Sequence, residues 1–151
     1  MGTYILDTGI VLGYLRESGY AKYVERHFSV SSPPNISLIS IVTVGEMQSL
    51  SMQLGWGENK RQLLDDLIKL IPIVDISNDQ IIERYAQIDS YSQGKNPLKP
   101  LPMTPRNMGK NDIWIAATGS VANATLLTTD KDFGHLNGVF LPVEYIDQNL
   151  T

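Results

Sequence analysis

Apolar positions along this chain change their period several times, and each change marks an element. Thr3-Tyr4-Ile5-Leu6 is a short continuous run, read as a buried first strand that stops at Asp7. Ile10, Val11, Tyr14 and Leu15 then recur at helical spacing to about Glu17. A second helical pattern runs from Tyr20 to Phe28 through Tyr23 and Val24, until Ser31-Ser32-Pro33-Pro34 breaks it. Ile36 to Ile41 reads as the second strand. Thr43-Val44-Gly45-Glu46 opens a helix whose Val44, Met47, Leu50 and Leu54 form one stripe, and Gly55-Trp56-Gly57 ends it. Lys60 to Ile71 is an amphipathic helix stopped by Pro72, and Ile73 to Ile76 is a third strand. Ser77-Asn78-Asp79-Gln80 fits a capping box ahead of Ile81, Ile82, Tyr85, Ile88 and Tyr91, with Gly94 as the stop.

The stretch from Asn107 to Leu136 carries the densest pattern. Ile113, Ala116, Ala117, Ser120 and Val121 mark a helix with Asn111 or Asp112 as its cap or first turn, and Thr125 to Thr128 is a β-rich run closed by Asp130. Gly138 to Pro142 reads as a last short strand, and Val143 to Leu150 fits no single pattern. Short strands alternating with helices predict an α/β fold of three layers, α/β/α, around a central and mainly parallel sheet. In such sheets ligands bind outside the carboxyl ends of the strands, where the following helices begin. Asp7, Asp112 and Asp130 all fall at that edge.

Composition narrows the possibilities. A chain of 151 residues fits one domain, residues 1–151, with enough length to bury its own core. With no cysteine, disulfides and thiolate metal sites are excluded. No apolar run approaches a membrane span and the amino terminus leads straight into a strand, so a cytoplasmic protein of bacterial type is expected. Twelve Lys and Arg against 16 Asp and Glu give a net charge of −4, unfavourable for holding nucleic acid through a broad basic surface. The distribution says more than the sum. Between Asp89 and Asp112 there is no acid, while Lys95, Lys99, Arg106, Lys110 and half of the 8 prolines fall there. Residues 94–110 are therefore expected to form a basic, proline-rich loop leading into Asp112.

Asp7, Glu46, Asp112 and Asp130 fall at corresponding places, after strands or at helix starts. Each singly suits a helix cap or first turn. Gathered in one cleft they would repel one another and resist ionisation unless a cation compensated. Oxygen ligands without cysteine or a spaced histidine pair point to Mg²⁺ or Mn²⁺ rather than zinc.

The residues Ile5-Leu6-Asp7-Thr8, the run Ser40 to Glu46, Asn111-Asp112-Ile113-Trp114-Ile115-Ala116-Ala117 and Leu127-Thr128-Thr129-Asp130-Lys131-Asp132-Phe133 together resemble the PIN-domain family, most closely the VapC-type toxin ribonucleases of bacterial toxin–antitoxin pairs. The resemblance covers nearly the whole chain. It implies a parallel sheet between helices, a divalent-metal-dependent endoribonuclease that hydrolyses RNA phosphodiester bonds with metal-bound water, homodimerisation, and inhibition by a cognate antitoxin protein. Carried over by position, it implies that Asp7, Glu46, Asp112 and Asp130 form the catalytic and metal-binding acids, with Asp7 and Asp112 as direct ligands. Thr8 and Thr128 take the family's small hydroxyl positions, orienting carboxylates or water. The basic insert is longer than a minimal member needs.

Further residues are weighed beside these. Asp132 competes with Asp130, which stands two residues after Thr128 and is preferred; Asp132 is read as a solvated turn acid. Lys110, Lys131 and Arg106 are candidates for touching the substrate phosphate. His27 and His135 lack ligand spacing and are read as structural, and Trp114 as core or dimer interface. A phosphatase of haloacid-dehalogenase type would need a second acid two residues after Asp7, where Gly9 stands. The alternative outside enzymes is a PIN-like module that binds RNA or protein without cutting.

Overall fold

A computed structural model of the chain describes residues 2–151. Five strands, β1 (Thr3–Leu6), β2 (Ile36–Ser40), β3 (Ile73–Val74), β4 (Thr125–Thr128) and β5 (Val143–Tyr145), form one sheet in the order β3-β2-β1-β4-β5, and every pairing is parallel. The helices are α1 (Thr8–Leu15), α2 (Gly19–Phe28), α3 (Ile41–Gln53), α4 (Glu58–Lys69), α5 (Asp79–Ser92) and α6 (Lys110–Val121), with a 3-10 helix at Lys131–Leu136. This is the expected three-layer α/β/α arrangement.

Both faces of the sheet are covered because its side chains alternate. Ile5 and Leu126 point into a core built with α5, α6 and the 3-10 helix, through Ile88, Ile113, Ala116, Phe133 and Leu136. Their neighbours Leu6 and Leu127 point the other way, against α1, α2 and α4 through Ile10, Val24 and Leu64. α3 serves both sides, sending Val42 to the first core and Met47 to the second. α6 lies so close to the sheet that a Cβ on Gly119 would stand 2.6 Å from Ile5 Cγ2.

Several boundaries differ from the sequence expectation, each for a local reason. β2 ends one residue early because the Ser40 hydroxyl accepts from the amide of Val42, which starts α3 at Ile41 and not at a Thr43–Glu46 box. Thr43 is instead fully buried inside α3. β3 stops at Val74, since the Asp75 carboxylate accepts from the Ser77 amide and turns the chain. The cap of α5 is Asn78, whose side chain accepts from the amides of Gln80 and Ile81. The expected strand at Gly138 to Pro142 is a turn, with Gly138 at φ +76° and the amides of Val139 and Phe140 both donating to the Leu136 carbonyl. The last strand is formed by Val143–Tyr145 in the tail.

The basic proline-rich stretch has neither helix nor strand between Ser92 and Lys110, yet it is pinned. Leu101 and Met108 pack on the core. The Asn96 side chain accepts from the amides of Leu98 and Lys99 and donates to Ser90 Oγ and the Gln87 carbonyl. Lys99 Nζ stands over the Phe140 ring, 5.5 Å from its centroid. Among the described residues no helix is long and apolar enough to cross a membrane.

Candidate active site

The order of the strands runs outward from β1 in both directions, so the sheet switches direction between β1 and β4, and their carboxyl ends open a crevice there. Leu6 pairs with Leu127, which sets Asp7 beside Thr128. Asp7 is only 6% exposed, and both its oxygens are engaged. Oδ1 accepts from the Thr8 amide at 2.8 Å, capping α1, and Oδ2 accepts from Thr128 Oγ1 at 2.6 Å. Thr128 Oγ1 in turn accepts from the Asp130 amide at 3.0 Å, so the turn carrying Asp130 is tied to Asp7 through one hydroxyl.

The second pair is Thr8 and Glu46. Thr8 Oγ1 donates to Glu46 Oε1 at 2.6 Å, with Thr43 Oγ1 standing 3.4 Å from the same hydroxyl. This bond fixes the first turn of α1 to α3. Asp130 Oδ1 accepts from the Asp132 amide and caps the 3-10 helix. Asp112 sits half-buried in the first turn of α6, whose cap is Gly109. Its carboxylate accepts no hydrogen bond among the described residues, where Asp7 accepts two.

The other acids lie near enough for their charges to reach Asp112 and Asp7. Burial pushes the Asp112 carboxyl up to about 7, and the charges of Asp7, Asp130, Glu46 and Asp132 add to it in that order. Asp7 is also raised, chiefly by burial, against the lowering effect of the Thr128 hydroxyl and the Thr8 amide; Glu46 and Asp130 push it up further. Two donors favour the charged form of Asp7 against its burial, and after burial its charge is the largest influence raising Asp112.

A cavity of about 320 Å³ is lined by Glu46, Gly109, Lys110, Asn111 and Asp112, so Lys110 stands with two of the acids. Lys131 Nζ lies over Tyr145, 5.4 Å from the ring centroid. The Arg106 amide donates to the Ser92 carbonyl, and its guanidinium depresses the pKa of His135, which places it on the flank of the loop.

Asp132, read from the sequence as a solvated turn acid, is exposed, and its charge adds the smallest of the effects on Asp112. Sequence reasoning gave no site role to two further contributors. Asn111 lines the cavity, a role its position beside Asp112 could have suggested. Ser92, Met108 and His135 form a buried polar cluster in which Ser92 Oγ lies 2.7 Å from His135 Nε2 and donates to Met108 Sδ at 3.3 Å. His135 Nδ1 has no hydrogen-bond partner in range; burial holds this imidazole's pKa below the usual value, and the nearby Asp132 backbone only opposes that. The cluster joins the end of α5, the return of the loop and the 3-10 helix. No pattern in the sequence announces it.

The donor chemistry suits a hard divalent cation, being carboxylate and hydroxyl oxygen throughout. Among the described residues no three acid or histidine side chains stand as a ready ligand set for one ion.

A doubly covered parallel sheet with an acidic crevice at its switch point defines the class, and the chain belongs to the PIN domain family, whose model matches residues 4–139. Among solved structures it is similar to VapBC2 from Rickettsia felis bound to a DNA fragment from its promoter, at 22% identity and a TM-score of 0.75 over 96% of this chain and 99% of that one. It is similar also to VapBC-1 from nontypeable Haemophilus influenzae, at 23% identity and a TM-score of 0.67 over 95% and 97% of the two chains. A third is VapBC-5 from Mycobacterium tuberculosis, a member of the VapBC family of toxin–antitoxin systems, at 20% identity and a TM-score of 0.59 over 97% and 98%. At these identities the likeness is one of fold. No curated protein matches the chain.

Proposed function

We propose that the protein is a divalent-metal-dependent endoribonuclease, the toxin of a toxin–antitoxin pair. The observation that carries this reading is the tie between Thr128 and Asp7, matched by that between Thr8 and Glu46, beside an Asp112 raised by burial and then by the charges of its acidic neighbours. Four carboxylates near one another, two of them held by threonine hydroxyls, are costly in a metal-free fold and useful in a metal-binding one. The similarity in fold to structures of VapBC complexes supports a cognate antitoxin as partner, and a homodimer is what the resemblance in sequence implies.

Asp7 and Asp112 would hold Mg²⁺ or Mn²⁺ directly, with Glu46 and Asp130 as the supporting acids. A bound ion would supply Lewis acidity for activating water and compensate charge at the phosphate. The chain's own groups do the rest. Thr128 and the Thr8 amide fix the Asp7 carboxylate, Thr8 fixes Glu46, and Asp112 would serve as a ligand in its charged form. Lys110, at the mouth of the acidic cavity, meets the substrate phosphate, with Arg106 and Lys131 as outer contacts.

The test is incubation of the purified chain with RNA and Mg²⁺ or Mn²⁺. Cleavage that stops with chelator, and in Asp7→Asn and Asp112→Asn proteins that melt as the parent does, is the expected result. Full-rate cutting by Asp112→Asn overturns the assignment, and RNA held but left intact points to a binding module instead.

A further inference from the structure

Two cavities meet at Glu46 and Asn111, and their chemistry differs. The smaller one carries Lys110 and Asp112. The larger, about 560 Å³, runs away along α3 past Gly45, Ser49 and Gln53, with Asn111 opposite and Val42 and Leu50 as its apolar surfaces. No lysine or arginine lines the larger cavity, whose one charged group is Glu46.

We propose that this groove seats a nucleobase adjacent to the scissile phosphate, with Gln53 and Asn111 as the residues that read its edge. The inference rests on the nuclease reading and deepens it. A phosphate is repelled from a groove whose one charge is negative, whereas the neighbouring cavity offers it Lys110. Neutral donors and acceptors are what a base edge requires, and contacts to bases carry the sequence choice that phosphate contacts lack. Each carboxamide offers an acceptor beside donors, the complement of a base presenting both, such as adenine at N6 and N7. Gln53 is already oriented: its Nε2 donates to Ser49 Oγ at 2.8 Å, which leaves its carbonyl oxygen and second N–H for a ligand. Val42 and Leu50 give the flat face of a base an apolar surface to lie on. Gly45 keeps the groove open, since a Cβ built there meets nothing within 4 Å.

That last feature supplies a test that spares the fold. Gly45→Leu introduces a side chain into open space and raises helix propensity, so the variant is expected to melt no lower than the parent. A randomised RNA pool cut by the parent, by Gly45→Leu and by Gln53→Ala is sequenced at its new ends, and Mn²⁺ affinity is measured by electron paramagnetic resonance without RNA. The expected result is a base preference beside the cut in the parent that falls roughly tenfold in Gln53→Ala, the scale of one lost bidentate base contact. Gly45→Leu should raise KM with kcat little changed, and Mn²⁺ affinity should stay the same in both. Identical cut profiles and KM in all three proteins overturn the groove while leaving the nuclease intact. If the parent cuts nothing, the nuclease reading fails by itself, and anisotropy of a fluorescein-labelled RNA hexamer still decides: weaker binding to Gly45→Leu supports the groove, and equal binding overturns it.

Discussion

Thr128 Oγ1 donates to Asp7 Oδ2 at 2.6 Å across 121 residues of sequence, and no other bond described here joins the two central strands through their side chains. It favours the charged form of a carboxylate that burial pushes the other way. Thr128→Val keeps the shape and removes the donor. Hydrogen bonds to charged groups contribute about 1.5–3 kcal/mol, so urea unfolding at pH 8 should show a loss of that order. The Asp7 carboxyl rises further in this variant, and metal-dependent activity should set in at higher pH than in the parent. A parent-like midpoint and pH profile would show that Asp7 does not depend on this hydroxyl.

The pH dependence of the metal-free protein follows from Asp112. Its carboxyl stands at about 7 in the fold against an ordinary 3.8, so the folded state binds more protons than the unfolded one between those values. Stability from this group therefore falls as pH rises from about 4 to about 7, then levels off. Melting temperature across that window, with chelator present, should decline more steeply in the parent than in Asp112→Asn. Mn²⁺ should restore stability, and more at pH 8 than at pH 5, because uptake of the ion displaces the proton.

Glu46 offers the complementary experiment. Its charge raises both Asp7 and Asp112 while Thr8 holds it in place. Glu46→Gln removes a repulsive charge and keeps an acceptor for the Thr8 hydroxyl. The metal-free protein should melt slightly higher at pH 8 and bind Mn²⁺ more weakly, a trade of function for stability. Calorimetry with and without Mn²⁺ reads both effects, and a variant that gains on both counts would contradict a metal-supporting role.

The buried cluster of Ser92, Met108 and His135 predicts how the basic loop is anchored. Ser92→Ala leaves His135 with neither ring nitrogen partnered, a cost of about 1–3 kcal/mol for an unsatisfied buried group. Trypsin should then cut after Lys95 or Arg106 faster than in the parent. Unchanged cutting would assign the anchoring to Asn96, Leu101 and Met108 alone.

The paired glycines make a structural contrast. Gly119→Ala forces a methyl against Ile5 and should cost about 1–3 kcal/mol, the range for overpacking. Gly45→Ala fills open space in a helix and should stabilise by roughly 0.5–1 kcal/mol. Chemical denaturation of the two variants side by side settles the sign of each.

Residues whose structure depends on near neighbours were legible in the sequence. Leu6 followed by Asp7, and Leu127-Thr128 followed by Asp130, announce strand ends through the abrupt move from apolar to charged positions. The sheet's parallel character follows from the helices between its strands. Boundaries set by one side-chain bond were not legible: Ser40, Asp75 and Asn78 each took a backbone amide that another residue in its segment could equally have served. The strand expected at Val139 to Leu141 lost to a tight return onto Leu136. In the site, the sequence placed the acids at one edge of the sheet, but the threonines that tie Asp7 and Glu46 to another element belong to different segments. The meeting of Ser92, Met108 and His135 depends wholly on tertiary packing.

Asp7 and Thr128 hang from β1 and β4, strands flanked on both edges and both faces, which places them among the last parts of the molecule to open under native conditions. Their amide protons should exchange only on global unfolding. The tie between Asp7 and Thr128 is thus built into the slowest-opening part of the sheet, and the arrangement of this pair does not wait on any ligand to form.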